Sequence, residues 1–501
     1  MTGSPTASDT SNGKWILTAT ILASSMAFID GTVVNVALPA LQTALHATAS
    51  SLQWVVESYA LLLASLLLLG GSLGDLYGRR RFFVMGVLIF ALGSTWCGFS
   101  SSIAMLIIAR GFQGVGAALL IPGSLALISA SFPEKERGRA IGTWSGFTAI
   151  TTAIGPALGG WLVEHASWRW VFFINVPIAI VVLFLAHSHI NESHNEGAKG
   201  KLDWQGATLA TLGLGAITFC LIQAPIGGPA VLASGLLGVV SISAFLLVEA
   251  RSPSPMISLR LFRSRDFTGT NLLTLMLYGA LSGLLFFLPL DLIQVQHYSA
   301  TAAGASLLPL ILLIFLLSRW SGGLIVTYGA RLPLTVGPLI AAAGFFLMLR
   351  CGLATSYWTA VFPGVVTLGL GMAVTVAPLT TAVMRSIPAT EAGIASGVNN
   401  AVSRIAGLLA VAVFGLIVTA GFNRSLDRSL QQIDLSPAAR QALLKERSKL
   451  AGAETNDPRL RRAMDEAFVA GFHDVIWVAV ALSALSALSA QMVSTQTKER
   501  R

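Results

Sequence analysis

Fourteen apolar stretches, each about as long as a bilayer is thick, run through this chain near residues 15–37, 52–72, 82–100, 103–128, 140–163, 170–187, 204–224, 230–249, 268–290, 301–318, 332–352, 358–382, 393–421 and 471–492. A hydrocarbon core of ~30 Å is crossed by ~20 residues of helix. Inside it every backbone N–H and C=O must be bonded within its own segment, and runs of this length can do so only as helices. The balance of residues agrees: 54% are hydrophobic and 11% charged, where soluble domains carry about 25% charged residues. The sequence therefore predicts an all-α polytopic membrane protein. The first run is not a signal peptide, because it carries Asp30 and no small-residue cleavage site follows it.

The net charge of +9 does not point to nucleic acid, because no soluble basic domain exists to hold it. Its distribution reports orientation instead. If both termini are cytoplasmic, nineteen Lys and Arg fall in cytoplasmic segments, while the short outer loops and membrane edges hold only Arg169 and Arg350. Nine more lie in the long loop 422–470, and long loops cross largely regardless of charge. The expected organisation is a cytoplasmic tail (1–14), a six-helix half (15–190), a linker with two inserted helices (191–250), a second six-helix half (251–492) and a cytoplasmic tail (493–501).

The two halves rest on an internal repeat. GSLGDLYGRR at 71–80 matches GGLIVTYGAR at 322–331, and Gly114, Gly116, Pro133, Glu136, Gly138 and Gly142 recur as Gly369, Gly371, Pro388, Glu391, Gly393 and Gly397. Parallel six-helix repeats are a transporter architecture with a central site at their interface.

An ionised side chain at the membrane centre costs ~2.5–3.5 kcal/mol, so few are kept without use. Asp30 lies seven residues from the outer end of the first run and Arg110 seven from the outer end of the fourth. Both are expected ~10 Å below the outer surface, where they can pair; together with Glu57, slightly higher, they are the candidate proton-coupling residues. A carboxylate whose protonation depends on water access and on that Arg can load and release a proton. Gly155, Pro156, Gly159 and Gly160 in the fifth run allow close packing and a bend. Asn35, Gln113, Asn399, Asn400 and Arg404 are candidates to line the cavity between the halves. The loop HSHINESHNE (187–196) loosely suggests a metal site, but a solvated loop is preferred. Cys97, Cys220 and Cys351 read as packing residues without pairing or metal spacing. In the outer loop, SPAARQALLKERSKL and DPRLRRAMDEAF predict two short surface helices, each opening on a cap residue followed by Pro.

On these motifs the chain resembles the 14-span drug–proton antiporter family of the major facilitator superfamily. IDGTVVNVALP (29–39) is similar to that family's first-span signature, with Asp30 as its acid. GSLGDLYGRR matches the superfamily loop motif through Gly71, Asp75, Gly78, Arg79 and Arg80. LIIARGFQGVGAA (106–118) matches the fourth-span motif, whose Arg, here Arg110, is implicated in proton coupling, and GPALGG (155–160) matches the antiporter motif. WRWVFFINVP and LDWQG are similarly placed. Thr151 stands where the fifth-span motif often has Gly, and Val326 replaces the Asp of the repeated loop motif. The resemblance implies the major facilitator fold, two six-helix halves plus two inserted helices. It also implies that the Asp75 loop latches the cytoplasmic mouth when the transporter faces outward.

The reading is a proton-coupled efflux transporter for small amphipathic organic compounds in a cell (inner) membrane. Its rival is a uniporter or lipid flippase of the same fold, without proton exchange. No ATP-cradling loop, metalloprotease, nucleophile-elbow or dinucleotide signature occurs, so an enzyme is not expected. The partners implied are the bilayer, protons and a small substrate. No cofactor or metal is expected, and no motif names a periplasmic adaptor.

Overall fold

The computed structural model describes residues 7–194, 202–253, 255–387, 392–431, 441, 443, 446–455 and 457–494. Among them only helices and connecting turns occur, and fourteen helices are long and apolar enough to cross a membrane. In chain order these are α1 (Ala7–Leu45), α2 (Ala49–Tyr77), α3 (Arg79–Gly98), α4 (Ile103–Ser131), α5 (Glu134–His165), α6 (Trp170–His189) and α7 (Trp204–Gln223). They continue as α8 (Pro229–Arg251), α9 (Arg265–Val295), α10 (Ala300–Tyr328), α11 (Arg331–Arg350), α12 (Tyr357–Arg385), α13 (Ala392–Leu430) and α14 (Pro458–Met492). The side on which α1 ends is called the outer side below, following the charge distribution.

Several helices outrun their apolar runs, and packing explains each case. α1 continues through Pro39 to Leu45, because its protruding turns are held from the second half. Gln42 Nε2 donates to the Lys449 carbonyl at 3.0 Å, and Gln294 Nε2 donates to Gln42 Oε1 at 2.7 Å. α9 runs on past Leu290 as a π-helical turn, Asp291–Val295. The segment 457–468 is not a separate surface helix. Asp457 caps it as expected, accepting from the Arg459 N–H at 2.8 Å, but the helix continues unbroken from Pro458 to Ser489. Arg461 fixes this extension by donating to the Gln294 carbonyl at 2.5 Å. The helix expected in 436–450 falls mostly outside the described residues.

The repeat is also a repeat of contacts. A Cβ at Gly114 would meet the Tyr59 carbonyl of α2 at 2.6 Å, and one at Gly116 the Gly86 carbonyl of α3 at 2.8 Å. Their counterparts Gly369 and Gly371 abut Leu310 of α10 and Gly337 of α11, at 2.8 and 2.7 Å. In both halves the fourth helix is thus drawn against the second and third by missing side chains, as membrane helices require when small residues set the approach. The inserted α7 leans on α2, where Phe219 meets Trp54 with ring centroids 6.3 Å apart. α8 packs on α7.

The halves meet closely on the outer side. Cβ atoms at Gly160 and Gly304 would each lie 2.6 Å from a carbonyl carbon, of Ala300 and Pro156 respectively. Glu164 adds an acceptor for the Thr301 N–H at 3.1 Å. Toward the cytoplasm the same α5 is loosely surrounded: no atom of the described residues lies within 4 Å of a Cβ at Gly138, Gly142 or Gly146. This conformation is closed on the outer side.

Candidate functional site

Asp30 sits at a junction of five helices. Arg110 and Gln113, one turn apart on α4, present the same face. Arg110 forms an ion pair with Asp30 Oδ2, and Gln113 Nε2 donates to Asp30 Oδ1 at 2.9 Å. Asn175, at the start of the main segment of α6, donates to the same oxygen at 3.3 Å and to Ser94 Oγ of α3 at 3.0 Å. Ser94 in turn donates to the Phe172 carbonyl at 2.8 Å. Two further guanidinium donors stay within the cluster: Nη1 to Gln113 Oε1 at 2.8 Å and Nε to the Val55 carbonyl at 3.1 Å. Its central carbon lies 4.3 Å from the Tyr59 ring centre, and Tyr59 donates its hydroxyl to the Ala27 carbonyl at 3.2 Å.

This cluster is sealed. Asp30, Gln113 and Asn175 are 0% exposed and Arg110 1%. Two opposite charges taken out of water stabilise only when their geometry is good and their other hydrogen bonds are met, and here every oxygen of Asp30 has a donor. Close approach makes the arrangement possible. A Cβ at Gly93 would lie 2.8 Å from the Gln113 Cα, so α3 presses α4 until Gln113 is aimed at Asp30.

Glu57 is also fully buried, but neither of its oxygens has a hydrogen-bond partner among the described residues. It stands one turn from Gln53, which reaches Gly415 of α13, and one turn from Leu61, which reaches Gly215 of α7. Its face of α2 thus turns away from Arg110. No hydrogen bond or ion pair joins it to Asp30 or Arg110.

The fifth-span motif touches both the cluster and the opposite half. Gly155 and Gly159 face Thr32 and Val33 of α1, where Cβ atoms would meet the Thr32 Cβ at 3.2 Å and the Val33 carbonyl at 2.8 Å. Pro156 and Gly160 face α10. Motion of α5 against α10 is therefore coupled to α1 within one turn of Asp30.

In the cytoplasmic loop, Asp75 pairs with Arg79 of its own half at 2.8 Å. Gly78 adopts φ +120°, which favours glycine, and a Cβ there would meet the Glu192 carboxyl carbon at 2.8 Å. Glu192, at the end of the first half, accepts from the Arg80 and Arg81 N–H groups at 3.0 and 3.1 Å. It closes the N-terminus of α3, where four N–H groups otherwise lack partners. Among the described residues no cluster with metal-holding composition exists; Glu196 lies outside them.

Of the cavity candidates, Gln113 belongs to the Asp30 cluster, and Asn399 donates to Thr274 Oγ1 and Asn271 Oδ1 of α9 at 2.7 and 3.1 Å. Asn35 and Asn400 are half-buried, and Asn35 Oδ1 has no partner. Arg404 is half-buried with its guanidinium 5.2 Å from the Phe28 ring centre. Sequence reasoning missed Tyr59, Ser94, Asn175 and Asp291, and read Glu192 only as part of a solvated loop. Polar residues inside apolar runs were the available signal for Ser94 and Asn175. Asp291 stands one residue beyond the predicted end of its run, and lies buried in the π-helical turn, where neither oxygen has a close hydrogen-bond partner among the described residues.

Residues 20–411 match the model of the Major Facilitator Superfamily. The chain belongs to that superfamily. It is 37% identical over 431 residues to the multidrug resistance protein Stp of Mycobacterium tuberculosis, covering 85% of this chain and 80% of that relative. It is 35% identical over 402 residues to the tetracenomycin C resistance and export protein of Streptomyces glaucescens, covering 78% and 73%. The puromycin resistance protein of Streptomyces alboniger is 36% identical over 412 residues, covering 81% and 82%. Among solved structures, an inward-facing, unoccupied bacterial homologue of the human lysosomal transporter Spinster superposes with a TM-score of 0.70, at 19% identity, over 96% of this chain and 98% of that one. That likeness concerns the fold alone. With its fourteen spans and these relatives, the chain is of the 14-span drug–proton antiporter type.

Proposed function

We propose that this chain exports small amphipathic organic compounds across the cytoplasmic (inner) membrane in exchange for protons, with both termini cytoplasmic. The resistance and export proteins among its relatives support the direction of transport. The observation that carries the coupling is the sealed Asp30–Arg110 pair, joined through Thr32 and Val33 to the α5 motif that closes the outer side.

A proton arriving from outside at an Asp30 oxygen cancels the charge that Arg110, Gln113 and Asn175 bind. The hold of α4 and α6 on α1 weakens, and α1 becomes free to move with α5 against α10. Once the outer ends have closed, the proton is released to the cytoplasm, and return of the carboxylate re-forms the pair as it stands here. Coupling lies in this alternation: the substrate leaves outward in the state that accepts the proton. In this reading the Asp75 loop latches the outward-facing state, and in this conformation Asp75 pairs with Arg79 of its own half.

The test uses purified protein in proteoliposomes with an imposed pH gradient, with compounds chosen by growth of a pump-deficient host on a toxic panel. Wild-type protein moves the compound in response to the gradient. Asp30→Asn, which keeps the size and loses the titration, abolishes that response while the protein stays folded. Gradient-independent transport by the wild type, or an undiminished response in Asp30→Asn, overturns the reading.

A further inference from the structure

We infer that Arg404 forms an anion subsite in the wall between the two halves and that the preferred cargo is a planar aromatic acid. The inference deepens the export reading by naming its substrate class, and its binding step stands apart from that reading. Two sides of α13 are accounted for. Asn399 and Gly407 face α9, bonding Thr274 at 2.7 Å and abutting Ser282 at 3.1 Å. Gly397 and Gly415 face α2, at Leu68 and Gln53. Arg404 lies seven residues after Gly397 and eleven before Gly415, two and three helical turns, and so points with them toward the first half. Its guanidinium rests 5.2 Å from the ring centre of Phe28 on α1, and that ring meets Trp144 of α5 edge-on with centroids 6.5 Å apart.

Neither acid near this depth pairs with Arg404 among the described residues. Asp30 is neutralised by Arg110, and Glu57 forms no ion pair. Arg404 has neither an ion pair nor a hydrogen bond with any described residue. With no hydrogen bond or ion pair to a described residue, the guanidinium keeps its N–H groups free, and its edge is the geometry that binds a carboxylate or phenolate with two parallel hydrogen bonds. An aromatic anion supplies what the site lacks: a counter-charge for the edge and a ring for Phe28 and Trp144. A protonated amine meets an uncompensated cation there and is disfavoured, so the same residue selects and rejects.

The experiment measures binding to the purified full-length protein in nanodiscs at neutral pH, with naphthoate and anthracene carboxylate as probes against their methyl esters. The expected result is acid binding about tenfold tighter than ester binding in the wild type, the scale of one charge-assisted pair. The preference should be lost in Arg404→Gln with ester binding unchanged, and partly kept in Arg404→Lys. Equal affinity for acid and ester in the wild type, no acid binding, or a preference that survives Arg404→Gln overturns the subsite. Transport by the same preparations separates the two readings. Arg404-dependent acid binding without acid movement leaves the subsite and refutes export of this class. Gradient-driven efflux of other compounds with no Arg404-dependent preference leaves export and refutes the subsite.

Discussion

Gly304→Ala should push the transporter out of the outer-closed conformation. The added Cβ would lie 2.6 Å from the carbonyl carbon of Pro156, and in Gly160→Ala it would lie 2.6 Å from that of Ala300. Both obstacles are backbone, which cannot rotate away as a side chain tip can, so each substitution acts as overpacking, typically costing about 1–3 kcal/mol. Only the conformation that brings α5 and α10 together bears this cost. A bias of that size changes the balance between outer-closed and outer-open states by roughly 5- to 150-fold. Val36 reports the change, because it is 1% exposed and lies on a 640 Å³ outer cleft between the halves. With Val36→Cys introduced, Cys220→Ser made and the buried Cys97 and Cys351 retained, a membrane-impermeant maleimide is applied from outside. Labelling should accelerate at least about fivefold in Gly304→Ala and in Gly160→Ala. Gly146→Ala is the control, since no atom of the described residues lies within 4 Å of its added atom, and its labelling should match the parent. Unchanged labelling in both gate variants, or an equal rise in Gly146→Ala, refutes the assignment of the gate to this contact.

Arg110→Lys keeps the charge but loses the fork that serves Asp30, Gln113 and the Val55 carbonyl together; gradient-driven transport should fall strongly and its pH profile should shift, whereas an unchanged profile makes the pairing incidental. Arg110→Ala leaves Asp30 buried without its counter-charge and should destabilise the folded protein by about 3–5 kcal/mol, read as a large drop in detergent melting temperature. Asp75→Asn should slow transport, preserve the dependence on the pH gradient and increase cysteine labelling at the cytoplasmic mouth; transport lost with labelling unaltered would refute a latch. Glu57→Gln, at a site with no ion pair to Asp30 or Arg110, should leave the Arg110 network folded, and loss of all gradient response there would make Glu57 a second coupling acid.

What the sequence determined by itself was whatever depends on near neighbours along the chain. Fourteen spans follow from hydropathy summed over a window, and burying twenty apolar residues as helix is decided within each run. Depth along a helix is equally local. That is why Asp30 and Arg110 could be matched even though α1 ends at Leu45 and not near residue 37. Both remain beneath the surface, and their opposite charges favour meeting. Depth says nothing about which way a side chain faces, and there the tertiary structure decided. Glu57 is buried, yet it turns toward α7 and α13 because Val55 and Tyr59 occupy the face that packs on Arg110. The same reason governs Glu192. Read in its own neighbourhood it is one polar residue of a solvated loop, and only a fold that carries the end of α6 to the start of α3 makes it the cap of a helix more than a hundred residues earlier. At 457–468 the cap was legible, but the helix length was not. A helix goes on while something holds its flank, and the Gln294 carbonyl that holds Arg461 comes from α9, far away in the chain.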